Sequence, residues 1–297
     1  MEKKNKLRTL LNSSNISILG GAHDSLSARL VEEADFDGVW ASGFGISLAS
    51  HCLPDADLLT MSEILSVVRN MVHTVKLPVL ADCDAGYGNA MNVMRLVREY
   101  ERTGVAGICI EDNMFPKRCS LYENWKRELI PPHEMAGKLR AAKKAQQDRD
   151  FVVVARVEAL IANHGLEEAI YRANLYADAG ADAILIHSKE FAPLREFTQS
   201  WHGNIPLIVV PTLFNDVPLS ELEQCGIRLV IYANQAVRAA MRAMRNTLQT
   251  IRSTGMSNFT DDQIVPLSEV YQIVNLDMLR DAEEEFLPHN VESFTEK

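Results

Sequence analysis

The sequence predicts an α/β fold, a (β/α)8 TIM-type barrel, and three observations carry that prediction. Eight short apolar runs recur along the chain, at 16–22, 37–42, 78–82, 107–111, 151–157, 183–187, 206–212 and 229–232. Longer amphipathic stretches lie between most of them, as at 92–102, 132–145 and 165–179. Helix-period segments alternating with buried strands specify βα units around a parallel sheet. The third observation is where the charges fall. They collect at the C-terminal ends of the runs, the edge at which such barrels carry their chemistry.

Taken in order, the units agree. The first run is not followed by a G-x-G-x-x-G turn, which argues against a dinucleotide-binding sheet. The second ends in Trp40-Ala41-Ser42-Gly43-Phe44, and the third in Asp82-Cys83-Asp84 followed by Ala85-Gly86-Tyr87-Gly88-Asn89. The fourth ends in Glu111-Asp112, the fifth in Arg156-Val157-Glu158, the sixth in His187-Ser188-Lys189 and the eighth in Tyr232-Ala233-Asn234. Helices close on Thr103-Gly104, Ala179-Gly180 and Cys225-Gly226, where glycine supplies the left-handed cap that stops a helix. Stretches 235–254 and 268–286 exceed what eight units need and are expected to pack on the barrel or on a neighbouring subunit. No linker divides the chain, so residues 1–297 are expected to form one barrel domain with a helical extension.

The chain has 297 residues, and an α/β barrel takes about 250 as a single domain. Apolar residues at 47% and charged residues at 24% exclude a disordered chain. Forty Asp and Glu against thirty Lys and Arg give a net charge of −10. That balance argues against a nucleic-acid partner, which needs a cationic face, but permits a small anionic substrate where a metal or a few cations sit locally. The five cysteines are odd in number and lack a C-x-x-C pair, against a disulfide framework or a structural zinc. Cys83 and Cys109 read as small core residues. MEKKNK is basic but no apolar h-region follows it, and no run approaches the ~18 apolar residues of a membrane span. A cytoplasmic protein is expected.

Asp82 and Asp84, alternating along a strand, are expected to face the barrel interior together. With Glu111 on the next strand they make a three-carboxylate cluster of hard oxygen donors suited to Mg²⁺. As caps of the following helices they would be explained singly, but not as three on neighbouring strands. Arg156 and His187 supply cationic or donor groups for an anion such as a phosphoryl group. The competing readings are a buried Arg156–Glu158 ion pair and a satisfied core histidine. Lys117-Arg118-Cys119-Ser120 falls in the long stretch between 112 and 131, and loops of that length inside compact domains commonly act as lids.

These residues carry a resemblance. ADCDAGYGN (81–89), ICIEDNMFPKRCS (108–120), VVVARVEALIANHG (152–165), GADAILIHSK (180–189) and IVVPT (208–212) look like the isocitrate lyase/phosphoenolpyruvate mutase superfamily. The match runs from GGAHDSLSARL (20–30) to the C-terminal helices, and RVEA, HSK and VPT look like its branch acting on phosphorus–carbon bonds. The resemblance implies a Mg²⁺-dependent homotetramer with C-terminal helices exchanged between paired subunits. It implies that Asp82 ligates the metal directly, with Asp84 and Glu111 acting largely through waters. Trp40, Ser42, Gly43 and Phe44 would bind substrate, the 42–44 segment holding the pyruvyl end. Arg156 and His187 would grip the phosphoryl group, with Asp55 beside it and Lys117, Cys119 and Ser120 on the lid.

The implied activity is interconversion of phosphoenolpyruvate and phosphonopyruvate, a mutase reaction. Hydrolysis of phosphonopyruvate, C–C cleavage of a 2-hydroxy- or 2-oxo-diacid, and metabolite binding without turnover are the alternatives. Two departures bear on the choice. Cys119 stands where the mutase has Asn and the hydrolase Thr, and Lys-Arg-Cys looks like the lyase lid, although Ser120-Leu121 continues as in the phosphonate enzymes. Gln235 stands where both phosphonate enzymes tend to have His.

Overall fold

The computed structural model describes residues 3–117 and 127–287. Helix α1 (Lys3–Asn12) leads into β1 (Ser17–Ala22), α2 (Ser25–Glu33), β2 (Gly38–Ala41), α3 (Gly43–His51), α4 (Met61–Thr74) and β3 (Val79–Asp82). Then follow α5 (Ala90–Arg102), β4 (Gly107–Glu111), α6 (Pro132–Ala145), β5 (Val152–Val157), α7 (Leu166–Asp178) and β6 (Ala183–Ile186). The barrel ends with α8 (Phe191–Ser200), β7 (Leu207–Val209), α9 (Leu219–Gln224) and β8 (Ile227–Tyr232). The strands close in sequence order, all parallel, with β1 pairing both β2 and β8. All eight apolar runs therefore became strands, and Gly104, Gly180 and Gly226 hold the positive φ expected of helix-ending glycines, at 83°, 98° and 82°.

Side chains alternate between two cores. Val39, Ala81, Ile108, Val153, Ile184 and Val230 point outward and pack under the helices. Leu19, Trp40, Leu80, Cys109, Val154, Leu185, Ile208, Leu229 and Ile231 fill the barrel interior. Period-two alternation along each strand sorts them this way. Cys83 belongs to the outer core and Cys109 to the inner one, both essentially solvent-free as expected.

The basic N-terminal stretch, in which no structure was foreseen, is a helix. Its Leu7 and Leu11 join the interior cluster, so α1 plugs the floor of the barrel. Gly107 makes the fit possible: a Cβ there would come 2.6 Å from the Val152 carbonyl oxygen and 3.2 Å from Leu7 Cδ2.

Contacts divide the chain into two compact units, Met1–Val237 and Arg238–Lys297. The second carries most of α10 (Gln235–Thr254), together with α11 (Leu267–Ile273) and α12 (Leu276–Phe286). It exposes Leu248, Leu267, Val274, Met278 and Phe286. Among the described residues no helix is long and apolar enough to cross a membrane.

Candidate active site

A cleft opens at the C-terminal ends of the strands, lined by Trp40, Ser42, Phe44, Asp55, Asp82, Arg156, His187, Val210, Thr212, Ala233 and Asn234. Seven of the thirteen residues singled out by sequence line it. Of the others, Gly43, Asp84, Glu111 and Lys117 contact its lining residues, whereas Cys119 and Ser120 lie outside the described residues.

The wall at β2 is backbone. Ser42 caps α3, its hydroxyl accepting the Gly45 N–H at 3.1 Å. Among the described residues no hydrogen bond takes up the first-turn N–H groups of Gly43 and Phe44. Such amides favour an anion, because the helix N-terminus is their positive end.

The acid side differs from the expectation in one respect. Strand β3 stops at Asp82, so Asp84 does not reach the site by strand alternation. It sits in the following turn at φ 47°, in the left-handed region, and its carbonyl accepts the Glu111 N–H at 2.9 Å. Aspartate tolerates that conformation better than most residues. The turn still delivers the carboxylate: a Cβ on Gly43 would stand 3.2 Å from Asp82 Oδ2 and 3.3 Å from Asp84 Oδ1. Both carboxylates thus converge on the space that glycine leaves open.

Two cations divide the carboxylates between them. Buried Lys117 places Nζ 2.9 Å from Asp55 Oδ1 and against Asp84 Oδ1, while its backbone N–H donates to Asp57 Oδ2 at 2.5 Å. Arg156 lies 3.2 Å from Glu111 Oε2, and Glu111 Oε1 accepts from Asn113 at 2.8 Å. Burial lifts Asp82 to about 6, with Glu111 and Asp55 adding to the shift and Lys117 and Arg156 opposing it. Burial likewise lifts Asp84 to about 7 against the pull of Lys117. For Lys117, desolvation is outweighed by Asp55 and Asp84, which hold it well above its ordinary range as an ammonium.

The residues fit a divalent cation. Asp82, Asp84 and Glu111 are hard oxygen donors, two of them aimed at the gap before Gly43, and Glu111 Oε2 is buried without a hydrogen bond. Among the described residues no three His, Cys, Asp or Glu side chains form a ready-made cage.

Arg156 also joins a second network. Arg156 donates Nε to Glu158 Oε1 and sets NH2 2.7 Å from His187 Nδ1. That nitrogen is also 2.8 Å from Glu158 Oε1. The buried Arg156–Glu158 ion pair that the sequence offered as the competing reading is present. Burial works to raise the Glu158 pKa, but Arg156 and His187 overcome it and hold the carboxyl far below its usual range. Burial and Arg156 lower His187 against Glu158, so the free ring is neutral at pH 7. With Nδ1 occupied, Nε2 is the ring nitrogen left for a ligand.

Sequence reasoning assigned no role to several residues here. Thr212 entered only as the end of the VPT motif and Asn234 only as a strand-end residue, and both line the cleft. Asp57 was passed over, although its spacing of two from Asp55 was a usable signal. Behind the second network, Asp112 accepts from the Glu158 N–H at 2.9 Å, Arg172 at 2.9 Å and Tyr176 at 2.8 Å. That network joins positions 46 to 64 residues apart, which no local pattern announces.

Comparison with known proteins matches these features. The family described as phosphoenolpyruvate phosphomutase covers residues 7–252. A phosphoenolpyruvate phosphomutase structure from Streptomyces platensis subsp. rosaceus superposes with a TM-score of 0.94 at 45% identity, over 97% of this chain and 100% of that one. The phosphonopyruvate hydrolase of Variovorax sp. (strain Pal2) is 42% identical over 97% of this chain and 100% of its own length. A phosphonopyruvate hydrolase structure in complex with oxalate and Mg++ gives a TM-score of 0.91 at 40% identity, over 97% of this chain and 100% of that one. Mutase and hydrolase thus stand at similar distance. On its fold, its motifs and this match, the chain belongs to the phosphoenolpyruvate phosphomutase family of the isocitrate lyase/phosphoenolpyruvate mutase superfamily.

Proposed function

We propose that the chain is a Mg²⁺-dependent isomerase, a phosphoenolpyruvate phosphomutase interconverting phosphoenolpyruvate and phosphonopyruvate. One observation carries the reading. One cleft brings together metal-type carboxylates, the first-turn amides of α3 and the Arg156–His187 pair, with buried Lys117 fixed beside Asp55. That layout suits a substrate with an enolpyruvate end and a phosphoryl end.

In this reading the Gly43 and Phe44 amides hold the carboxylate and C2 oxygen. Asp82, Asp84 and Glu111 would hold Mg²⁺, which when bound supplies positive charge beside the enolate oxygen. Arg156 and His187 hold the phosphoryl group while its bond to the C2 oxygen breaks and a bond to C3 forms, leaving a ketone at C2. Such transfers have a loose transition state, so catalysis is mostly positioning and charge stabilisation. A neutral His187 gains a proton more readily once an anion occupies the cleft. Nδ1–H then points to Glu158, and Nε2–H to the phosphoryl oxygens. Lys117, locked to Asp55 and Asp84, excludes water from that side, and water would otherwise divert the phosphoryl group to hydrolysis.

A phosphorus NMR time course with Mg²⁺ and phosphonopyruvate tests the reading. Phosphoenolpyruvate is the expected product. Inorganic phosphate with pyruvate would make the protein a hydrolase, which the 42% identical relative supports as the second reading. An unchanged phosphonate signal would remove both and direct the search to hydroxy-diacids. We propose in addition that the exposed apolar side chains of α11 and α12 pack on other copies in a homotetramer, for which light scattering should give the mass of four chains.

A further inference from the structure

We propose that Asp57 is a positioning residue for this reaction: by accepting the Lys117 backbone N–H it sets where the lysine ammonium stands between Asp55 and Asp84. The inference rests on the proposed function, since it concerns the lysine of that same site.

A lysine head sits on a flexible four-carbon stem, and confining it to one position costs rotamer entropy. Fixing Nζ therefore needs a fixed backbone as well as acceptors for the ammonium. One loop supplies both. Asp55 takes Nζ at 2.9 Å and Asp57, two residues on, takes the main-chain N–H at 2.5 Å. The loop is itself tied down, because the Ser47 hydroxyl on α3 reaches the Leu53 and Pro54 carbonyls at 3.1 and 3.2 Å. Asp57 adopts φ 56°, a left-handed conformation that turns this short segment back on itself.

The charges around Asp57 say why a carboxylate here is not a stability device. Burial and the nearby Asp84 lift it to about 7, Glu111 adds to the shift, and the Lys117 N–H and ammonium oppose it. Among the described residues Lys138, whose Nζ donates to the Ala85 carbonyl at 2.9 Å, is another cation it faces. An acid placed among acids at such a cost is explained by the contact it makes to Lys117.

The test compares Asp57→Ala, Asp57→Asn, Lys117→Ala and the Asp57→Ala/Lys117→Ala double variant, with phosphonopyruvate and Mg²⁺ and product read by phosphorus NMR. Asp57→Ala is expected to lower kcat about tenfold with little change in KM, since misplacing a group acts on the chemical step. The share of inorganic phosphate among its products should rise. The double variant should be no slower than Lys117→Ala alone, because the two residues act as one unit. Asp57→Asn keeps an acceptor oxygen and should recover most of kcat. Additive losses, or an Asp57→Ala variant that melts earlier with unchanged kcat and product ratio, would overturn the proposal. A wild-type protein releasing only phosphate would defeat the mutase reading alone, and the coupling would then be read on phosphate release. A wild-type protein with no turnover would defeat both.

Discussion

The two charged halves of the cleft are built by different means. Glu111, Arg156, Glu158 and His187 belong to adjacent strands or the residue just beyond them, with Glu111 paired to Arg156 and Val157 to Ile186 in register. Their positions follow from the barrel's hydrogen bonds, and the Asp112–Arg172–Tyr176 layer braces them from behind. Asp55, Asp57, Asp84 and Lys117 all lie on connections outside the strands, two of them at positive φ. Their arrangement depends on one another's side chains. The strand-built half is preorganised by the fold and shares its stability. The loop-built half can lose a contact without disturbing the sheet.

The largest effect should come from the strand-built half. Arg172→Met leaves the fully buried Asp112 carboxylate without its ion-pair partner, and breaking such a pair costs about 3–5 kcal/mol. Denaturant unfolding should show that loss, and a variant as stable as the wild type would mean that the layer is not a brace. Arg156→Lys keeps the charge but cannot serve Glu158, Glu111 and His187 together. It should keep the fold and lower kcat/KM about 100- to 1,000-fold, or about 2.7–4 kcal/mol in the barrier.

Acidity should separate the buried carboxylates by sign. Asp82 and Asp84 have folded pKa values of about 6 and 7, raised by burial. Groups raised in the folded state contribute stability at low pH and lose it as pH climbs through those values. Metal-free protein should therefore melt higher at pH 6 than at pH 8, and Asp84→Asn should flatten the trend. Mg²⁺ affinity should weaken across the same window as protons compete, with calorimetry in two buffers reading the protons released. Glu158, lowered by Arg156 and His187, runs the other way: its contribution is present above its unfolded value and fades only in strong acid. A melting temperature flat from pH 8 to 6 would count against the crowding of Asp82 and Asp84. The smallest effect is expected of Cys119→Asn, which should leave mutase turnover within about threefold. A hundredfold fall, about 2.7 kcal/mol, would show that Cys119 is more than a stand-in for the mutase asparagine.

The strand-built half was also the half the sequence made legible. Arg156 and His187 end apolar runs whose inward or outward facing follows from a period of two, and charges stranded there announce a site. Asp84 was found for the wrong reason, because the strand stops at Asp82 and the turn, not the pleat, aims its carboxylate. Asp57 and α1 escaped notice because their roles are contacts made across 60 residues, to Lys117, and across about 100, from Leu7 to the side of Gly107.

What this sequence determined by itself is its barrel and the chemical kind of its site. Alternating apolar periods allow few other packings, and strand-end charges are too costly to be incidental. Only the tertiary structure decided which carboxylate meets which cation, that Lys117 stands between Asp55 and Asp84, and that one buried aspartate, Asp112, supports the Glu158 on which Arg156 and His187 lean. Periodicity is a property of neighbours along the chain. Ion pairing in a buried cleft depends on distances of a few ångströms between residues that the chain keeps far apart.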